Sequence, residues 1–227
     1  MLNAHNNNRL QVLTPDKLEA IIAGAETLEK DRRGDKVLRL KNGAIFKIFT
    51  CKSRLSKSFW RPYSISFVKN ALILGVCAIP TVTLKQLYQL PDRRKTAVEY
   101  QPLPGQTLDE CIDGSLDKDR LSEGLGTFIQ KLHQQGIYFR AVHPGNIILD
   151  DNNRWGLIDI ADLKFYEKPL SEAKRRRNFH HLLRRHRFRQ CLQQLNPEKI
   201  MAGYCQNISA PDSIKASFEK IWLQYLN

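Results

Sequence analysis

Residues 133–165 read HQQGIYFRAVHPGNIILDDNNRWGLIDIADLKF. In this stretch a loop signal, Pro144-Gly145-Asn146, precedes a short apolar run, and a polar turn separates that run from a second one that ends at Asp159. Two short apolar runs joined by a polar turn predict a β-hairpin. Because antiparallel strands start and finish at the same edge, we expect the Asn146 amide and the Asp159 carboxylate to lie close together. Oxygen ligands of this kind suit a magnesium ion that carries phosphates.

The composition is that of a globular protein with a strong excess of positive charge. The chain has 227 residues, of which 42% are hydrophobic and 26% charged, enough for one domain with two lobes or for two small domains. The net charge of +13 predicts attraction to anions: nucleotide phosphates, nucleic acid, lipopolysaccharide phosphates or an anionic membrane face. A solvated basic surface that serves solubility is the alternative.

The sequence lacks signals for membrane insertion and for disulfide bonding. No window approaches the ~18 apolar residues that span a bilayer, and the Asn-rich start has no apolar signal region, so a cytoplasmic location is expected. The cysteines lie far apart and form no CxxC pair, which argues for reduced packing residues and against a disulfide framework or a zinc site. They are Cys51, Cys77, Cys111, Cys191 and Cys205.

The first hundred residues are predicted to be rich in strands. Residues 15–29 have the apolar spacing of a short helix. Asn42-Gly43 then lies between two apolar runs, the strongest short-range signal of a hairpin, and Lys47 falls in the second of its strands. A helix without acidic residues is expected after Pro62, ending near Gly75.

Two further strands are predicted around 81–90 and 96–100, and then a Pro- and Gly-rich stretch, 101–108, that is typical of a hinge. The chain after this hinge is predicted to be mostly helical. A helix is expected over about 118–135, where apolar residues recur at i, i+4, i+7, i+8 and i+11. The basic run 174–189 predicts another helix, and a final amphipathic helix follows. The inner face predicted for the basic helix is Phe179, Leu182, Leu183 and His186.

This order, with Lys47, Asn146 and Asp159 in sequence, resembles the protein-kinase-like fold. More narrowly, it is similar to the bacterial lipopolysaccharide core sugar (Kdo/heptose) kinases and to the small kinase-like toluene tolerance proteins. The resemblance implies an α+β, bilobal fold with a small β-rich N-lobe and a reduced helical C-lobe. The expected segments are an N-terminal extension with a short helix at 1–29, an N-lobe at 30–101 and a C-lobe with the hairpin and the basic helix at 102–227.

The resemblance also assigns expected roles to residues. In the kinase pattern, the motif HRDLKPxN is followed by a hairpin and then by DFG. Here Asn146 and Asp159 match the two magnesium-binding positions. Lys47 matches the strand lysine that holds the nucleotide phosphates. ATP and magnesium are therefore the expected cofactors. The stretch expected to contact adenine through its backbone is Glu99, Tyr100 and Gln101.

The departures from the kinase pattern concern both binding and catalysis. The helix after Lys47 has no acid to pair with that lysine, no GxGxxG is present, and Ile160 and Ala161 replace the Phe and Gly of DFG. Ala141 stands where an acid would accept the proton of the substrate hydroxyl, and His143 stands where a lysine would follow. A missing base costs about 10²–10⁴-fold in rate, which by itself does not forbid turnover. His143 is a candidate at the γ-phosphate, as a cation when protonated or as a proton acceptor when neutral. Arg140 is expected to order the loop or hold a phosphate, and Asp162 is a second candidate acid.

Three functions stay open at this point. The first is an ATP- and magnesium-dependent kinase acting on a sugar of the lipopolysaccharide core. The second is a catalytically impaired pseudokinase that serves as a nucleotide-binding scaffold on an anionic partner. The third is a nucleic-acid-associated module, ranked lower because the basic helix lacks interleaved exposed aromatic residues. The basic helix has its own alternatives: a solvated face, or a surface that docks on phosphorylated glycolipid at the inner membrane.

Overall fold

A computed structural model describes residues 10–32, 34–51, 62–206 and 212–226. The chain divides into two compact units, Met1–Leu103 and Pro104–Asn227. Over the described residues, the first unit is built mainly from a β-sheet and the second mainly from helices, so the predicted α+β class is confirmed. The first nine residues of the predicted N-terminal extension lie outside this description.

The first unit contains a sheet in the order β1-β5-β6-β4-β3-β2. Its β1–β5 pair is parallel, and the other neighbouring strands are antiparallel. The β3–β4 hairpin turns at Asn42-Gly43, where the Asn42 side chain accepts a hydrogen bond from the Ala44 amide at 2.9 Å and Gly43 has φ +76°. This turn confirms the predicted hairpin. The strands are β1 (Leu10–Val12), β2 (Glu26–Asp31), β3 (Gly34–Arg39), β4 (Ile45–Thr50), β5 (Thr83–Gln89) and β6 (Lys95–Gln101).

The prediction of a helix over 15–29 is right for its first half and wrong beyond it. Helix α1 spans Pro15–Ile22, and the chain turns at Gly24 with φ +69° before it enters β2. Strand β2 is held by β3, against which Glu26 forms an ion pair with Arg39 at 3.2 Å. Backbone pairing with β3 and this cross-strand ion pair therefore override the helical spacing of the sequence.

Helix α2 (Tyr63–Val76) packs on the sheet through the face that the sequence predicts, with Phe67, Ala71 and Leu74 buried. The prediction that this helix ends near Gly75 is confirmed to within a residue, since it ends at Val76. The left-handed residue that follows is Ala78, with φ 51°.

The second unit places helices around two small antiparallel pairings. Strands run β10-β9-β7 in one sheet and β11-β8 in the other. Helix α4 agrees with the predicted helix to within a residue. No helix within the described ranges is long and apolar enough to cross a bilayer. The elements are β7 (Gln106–Thr107), α3 (Leu108–Asp113), α4 (Lys118–Gln134), β8 (Ile137–Phe139), β9 (Ile147–Leu149), β10 (Trp155–Leu157), β11 (Leu163–Phe165), α5 (Glu172–Leu183), α6 (Arg189–Leu192), α7 (Pro197–Cys205) and α8 (Asp212–Leu226), with 3-10 turns at Pro144–Asn146, Ile160–Asp162 and His186–Phe188.

The basic helix is shorter than predicted. Helix α5 ends at Leu183, and the chain bends before the 3-10 turn His186–Phe188. Phe179, Leu182 and Leu183 are buried as expected, but His186 is exposed, and Phe188 is the residue that enters the core. Because the helix ends before this bend, the helical spacing that would have placed His186 on the inner face does not continue to that residue.

A buried polar network ties α5 to the start of the loop that carries Asn146. The ring of His133 contacts the Tyr204 hydroxyl through Nδ1 and the Asn178 Oδ1 atom through Nε2, both at 2.9 Å. The Asn178 amide in turn donates to the Phe139 carbonyl at 2.7 Å. Burial, with a smaller contribution from Arg175, lowers the pKa of His133 to about 3, against an opposing effect of its bond to Asn178. His133 is thus neutral, and the network holds the end of β8 in place.

This histidine makes the stability of the second unit depend on pH. The unfolded chain protonates His133 below about pH 6.5 and the folded chain does so only near pH 3, so the free energy of unfolding should fall as the pH is lowered between these values. The contribution is at most about 1.4 kcal/mol per pH unit. Denaturant unfolding from pH 7 to pH 4 should show a shallower pH slope for His133→Gln. His186→Gln, at an exposed position, is the control, and an unchanged slope in His133→Gln would contradict this assignment.

Candidate functional site

The predicted hairpin is present and sets the two candidate metal ligands beside each other in register. Ile147 pairs with Leu157 in the β9–β10 ladder, and the Ile158 amide donates to the Asn146 carbonyl at 3.0 Å. Asp159 is the next residue along the chain. The two ends of the hairpin therefore meet at one edge.

The turn of this hairpin is held by Asp150. Its Oδ1 atom accepts from the amides of Asn152 and Arg154 at 2.9 and 2.8 Å, and its Oδ2 atom accepts from Arg154 Nε at 2.8 Å. Asn153 has φ 56°, a left-handed conformation that asparagine adopts more readily than most residues. Asp150 is thus a turn residue, as the sequence suggests.

The side chain of Asn146 is oriented by its own loop. It is 7% exposed, its Nδ2 atom donates to the Ala141 carbonyl at 3.0 Å, and the same atom lies 3.1 Å from Nε2 of His143. Both amide hydrogens are therefore engaged, which leaves Oδ1 as the atom that Asn146 presents. An amide oxygen is the atom through which asparagine binds a hard cation.

Asp159 occupies an unusual backbone conformation at the other end of the hairpin. Its backbone is left-handed, with φ 52° and ψ 47°, a region that few residues other than glycine, asparagine and aspartate adopt. The strand β10 before it and the 3-10 turn Ile160–Asp162 after it hold this conformation. The side chain is exposed. Such conformations are found most often at functional sites.

His143 is neutral at physiological pH and is packed into the site. Its ring stacks on Phe188, with ring centroids 5.0 Å apart and an angle of 24° between the planes. Burial first, and then the charges of Arg185 and Arg187, lower the pKa of His143 to about 4, while Asp159 and Asp109 act in the opposite direction. Because Nε2 accepts from Asn146, the proton of the neutral ring lies on Nδ1. His143 thus orients Asn146 rather than supplying a positive charge.

Sequence reasoning missed Asp109 and Phe188, which surround His143. Asp109 lies in the first turn of α3, after Thr107, and its Oδ1 atom is buried with no hydrogen-bond partner, as is Nδ1 of His143. Gly145 leaves room for Phe188, since an added Cβ would lie 3.0 Å from the ring. A capping-box pattern at residues 107–110 marks the start of α3, but no local signal connects it to residues that are distant in the chain.

Arg140 and Asp162 occupy other parts of the second unit. Arg140 is exposed and lines a cavity of about 560 Å³, together with Lys164 and Arg177. Asp162 is exposed at the last position of its 3-10 turn. The loop that carries Arg140 therefore contributes residues both to the edge of the hairpin and to the lining of this cavity.

The residues expected to hold the nucleotide lie in the first unit. Lys47 in β4 is opposite Val98 in β6, and its Nζ atom lies 5.9 Å from the centroid of the Phe67 ring. Glu99 accepts a hydrogen bond from the Tyr88 hydroxyl at 2.8 Å. Burial, and then this bond, raise the pKa of Tyr88 above its usual value. The sheet thereby sets Lys47 next to the strand that carries the predicted adenine contacts, Glu99, Tyr100 and Gln101.

The donor atoms of the hairpin suit Mg²⁺ better than a softer metal. Within the described parts of the chain, no three or more His, Cys, Asp or Glu side chains form a group that could hold an ion, and all five cysteines are free thiols. Asn146 Oδ1 and the Asp159 carboxylate offer only oxygen. Mg²⁺ is commonly held by one or two such protein ligands, with water and substrate phosphates completing its shell. The residues present therefore fit a phosphate-bound magnesium ion.

Comparison with solved structures finds chains that are similar to this one. No protein-family model matches the chain, and no curated protein sequence matches it. A solved structure of the bifunctional kinase-methyltransferase WbdD is similar, with a TM-score of 0.47, 12% sequence identity, and coverage of 86% of this chain and 46% of that one. The chain thus spans less than half the length of that protein. The chemistry of the hairpin follows from its own side chains.

Proposed function

We propose that this chain is a kinase-like protein that binds ATP with Mg²⁺ and transfers a phosphoryl group. The observation that carries the proposal is the hydrogen bonding of the Asn146 side chain. Its two amide hydrogens are engaged by Ala141 and His143, which leaves its oxygen for a cation. The bond from the Ile158 amide to the Asn146 carbonyl brings Asp159, the next residue, to the same edge of the hairpin.

In this proposal the work of the chain is positioning and charge neutralisation, which dominate phosphoryl transfer. Asn146 and Asp159 would hold the metal ion, which supplies neutralisation of the β- and γ-phosphates. Lys47 would hold the phosphates, and the backbone of 99–101 would hold the adenine. His143 keeps the Asn146 amide in its orientation and, being neutral, adds no charge. The acceptor we propose is a sugar of the lipopolysaccharide core, on the resemblance of residues 133–165 to that kinase family.

A nucleotide-binding scaffold without turnover is the second candidate, and the same loop favours it. Ala141 has no group that could accept a proton. His143, the nearest substitute named from the sequence, already uses Nε2 as an acceptor for Asn146. The two candidates share nucleotide binding and differ only in turnover.

Ala141→Asp separates the two candidates. An acid at this position is expected to raise ATP turnover by about 10²-fold or more, because general-base catalysis contributes that much. The measurement is ADP release with and without Mg²⁺. Ala202→Asp, at an exposed position on α7, is the matched control for an added carboxylate. If neither the native chain nor Ala141→Asp turns over ATP while both bind it, phosphoryl transfer is rejected and the scaffold remains.

A further inference from the structure

Two adjoining cavities lie along helix α5, on a part of the second unit that the proposed function does not use. The first is the cavity of about 560 Å³ that Arg140 lines, and the second has a volume of about 500 Å³. Arg177 and His181 line both of them, so the two cavities share a wall. Volumes of this size suit small molecules.

Positive charge lines both cavities, and no carboxylate of the described residues does. Arg140, Lys164, Lys174 and Arg177 line the first cavity, while Arg176, Arg177 and Arg184 line the second. Within the described ranges, none of these six side chains forms an ion pair. These cations are therefore available to an anionic ligand.

His181, which lines both cavities, is neutral at physiological pH. Burial first, and then Arg184, Arg140 and Arg177, lower the pKa of His181 to about 4. Its Nε2 atom lies 2.9 Å from the Tyr138 hydroxyl, and its Nδ1 atom is buried without a partner. A neutral ring between two groups of cations leaves the positive potential in place.

The start of helix α5 adds to the same potential. Ser171, its N-cap, and Ala173 in its first turn line the first cavity, and the Ser171 side chain makes no capping hydrogen bond. The first turn of a helix carries a partial positive charge that favours an anion, and in α5 the exposed carboxylate of Glu172 in the same turn offsets part of this charge. Lys174 is held at the rim, with its Nζ atom 4.4 Å from the centroid of the Tyr166 ring.

We propose that the two cavities together bind a small ligand with two phosphate groups, one in each cavity, with Arg177 between them. Arginine side chains bind phosphate in a bidentate manner, and several of them are available on each side. Two separate concave sites with one shared arginine suit two linked phosphates better than one. This site depends on neither the metal hairpin nor nucleotide binding.

Calorimetric titration of the full chain, without nucleotide or metal ion, tests the proposal. The probes are fructose 1,6-bisphosphate, fructose 6-phosphate and inorganic phosphate. The bisphosphate is expected to bind at least about tenfold more tightly than either monophosphate, since one further charged hydrogen-bonded contact is worth about 1.5–3 kcal/mol. Arg177→Gln should weaken binding of the bisphosphate by about tenfold or more.

Single substitutions on each side show whether both cavities take part. Lys164 lines only the first cavity and Arg184 only the second. Lys164→Gln and Arg184→Gln should each lower the affinity for the bisphosphate to that for a monophosphate. Arg120→Gln, an exposed cation on α4, is the control for net charge and should change nothing.

Three results would overturn the proposal. One is equal affinity for bisphosphate and monophosphates. Another is equal weakening by Arg177→Gln and Arg120→Gln, which would indicate attraction by net charge alone. The last is an oligonucleotide that displaces the bisphosphate and binds more tightly through the same arginines, which would assign the cavities to nucleic acid.

Discussion

Asp159→Asn is expected to abolish the magnesium dependence of ATP binding while leaving the fold intact. Asparagine adopts the left-handed conformation that this position requires, so the hairpin should keep its geometry. It loses the negative charge that Mg²⁺ needs from a carboxylate. The affinity for ATP in the presence of Mg²⁺ should fall at least about tenfold, a loss of about 1.4 kcal/mol or more. Thermal-shift and calorimetric titrations with ATP, with and without Mg²⁺, measure this loss of affinity.

The control for this substitution is in the same hairpin. Asp151 is an exposed aspartate of the turn, and Asp151→Asn makes the same chemical change away from the edge where Asn146 lies. It should leave the magnesium dependence unchanged. An Asp159→Asn protein that still binds ATP more tightly with Mg²⁺ than without it would remove the metal assignment, and with it the proposed function.

Gly126→Ala should cause a large loss of stability in the second unit. Gly126 lies where α4 crosses α7, and an added Cβ would lie 1.9 Å from the Ile200 carbonyl oxygen and 2.8 Å from the Tyr204 amide nitrogen. Gly203 faces α4 in the same way, with an added Cβ 2.0 Å from the Glu123 carbonyl oxygen. Because the obstructing atoms are backbone, the two helices would have to move apart. We expect a loss of about 3 kcal/mol in the free energy of unfolding.

Gly75→Ala is the matched comparison. Gly75 also lies inside a helix, α2, but nothing is within 4 Å of an added Cβ. There the change should stabilise the chain by about 0.5–1 kcal/mol, since alanine is the better helix former. Denaturant unfolding of both variants measures the difference. Equal stabilities would show that α4 and α7 do not approach each other through their glycines.

Local patterns were enough to place the candidate metal ligands. The hairpin from Asn146 to Asp159 spans fourteen residues, and its turn and the register of its two strands are formed by contacts within that span. The same holds for the Asn42-Gly43 hairpin and for α4, whose spacing is visible in the sequence. Structure that depends on near neighbours can be predicted from their order.

The order of the residues is enough to predict the α+β class and the edge of the hairpin where Asn146 and Asp159 meet. Tertiary structure decided the end of α1, where pairing of β2 with β3 overrides the helical spacing. It decided the state of His143, which is neutral because Phe188, Arg185 and Arg187 come from a bend more than forty residues away. It also turned Arg140 toward the basic cavity. Burial and electrostatic fields arise from groups that meet only when the chain folds, so no local pattern reports them.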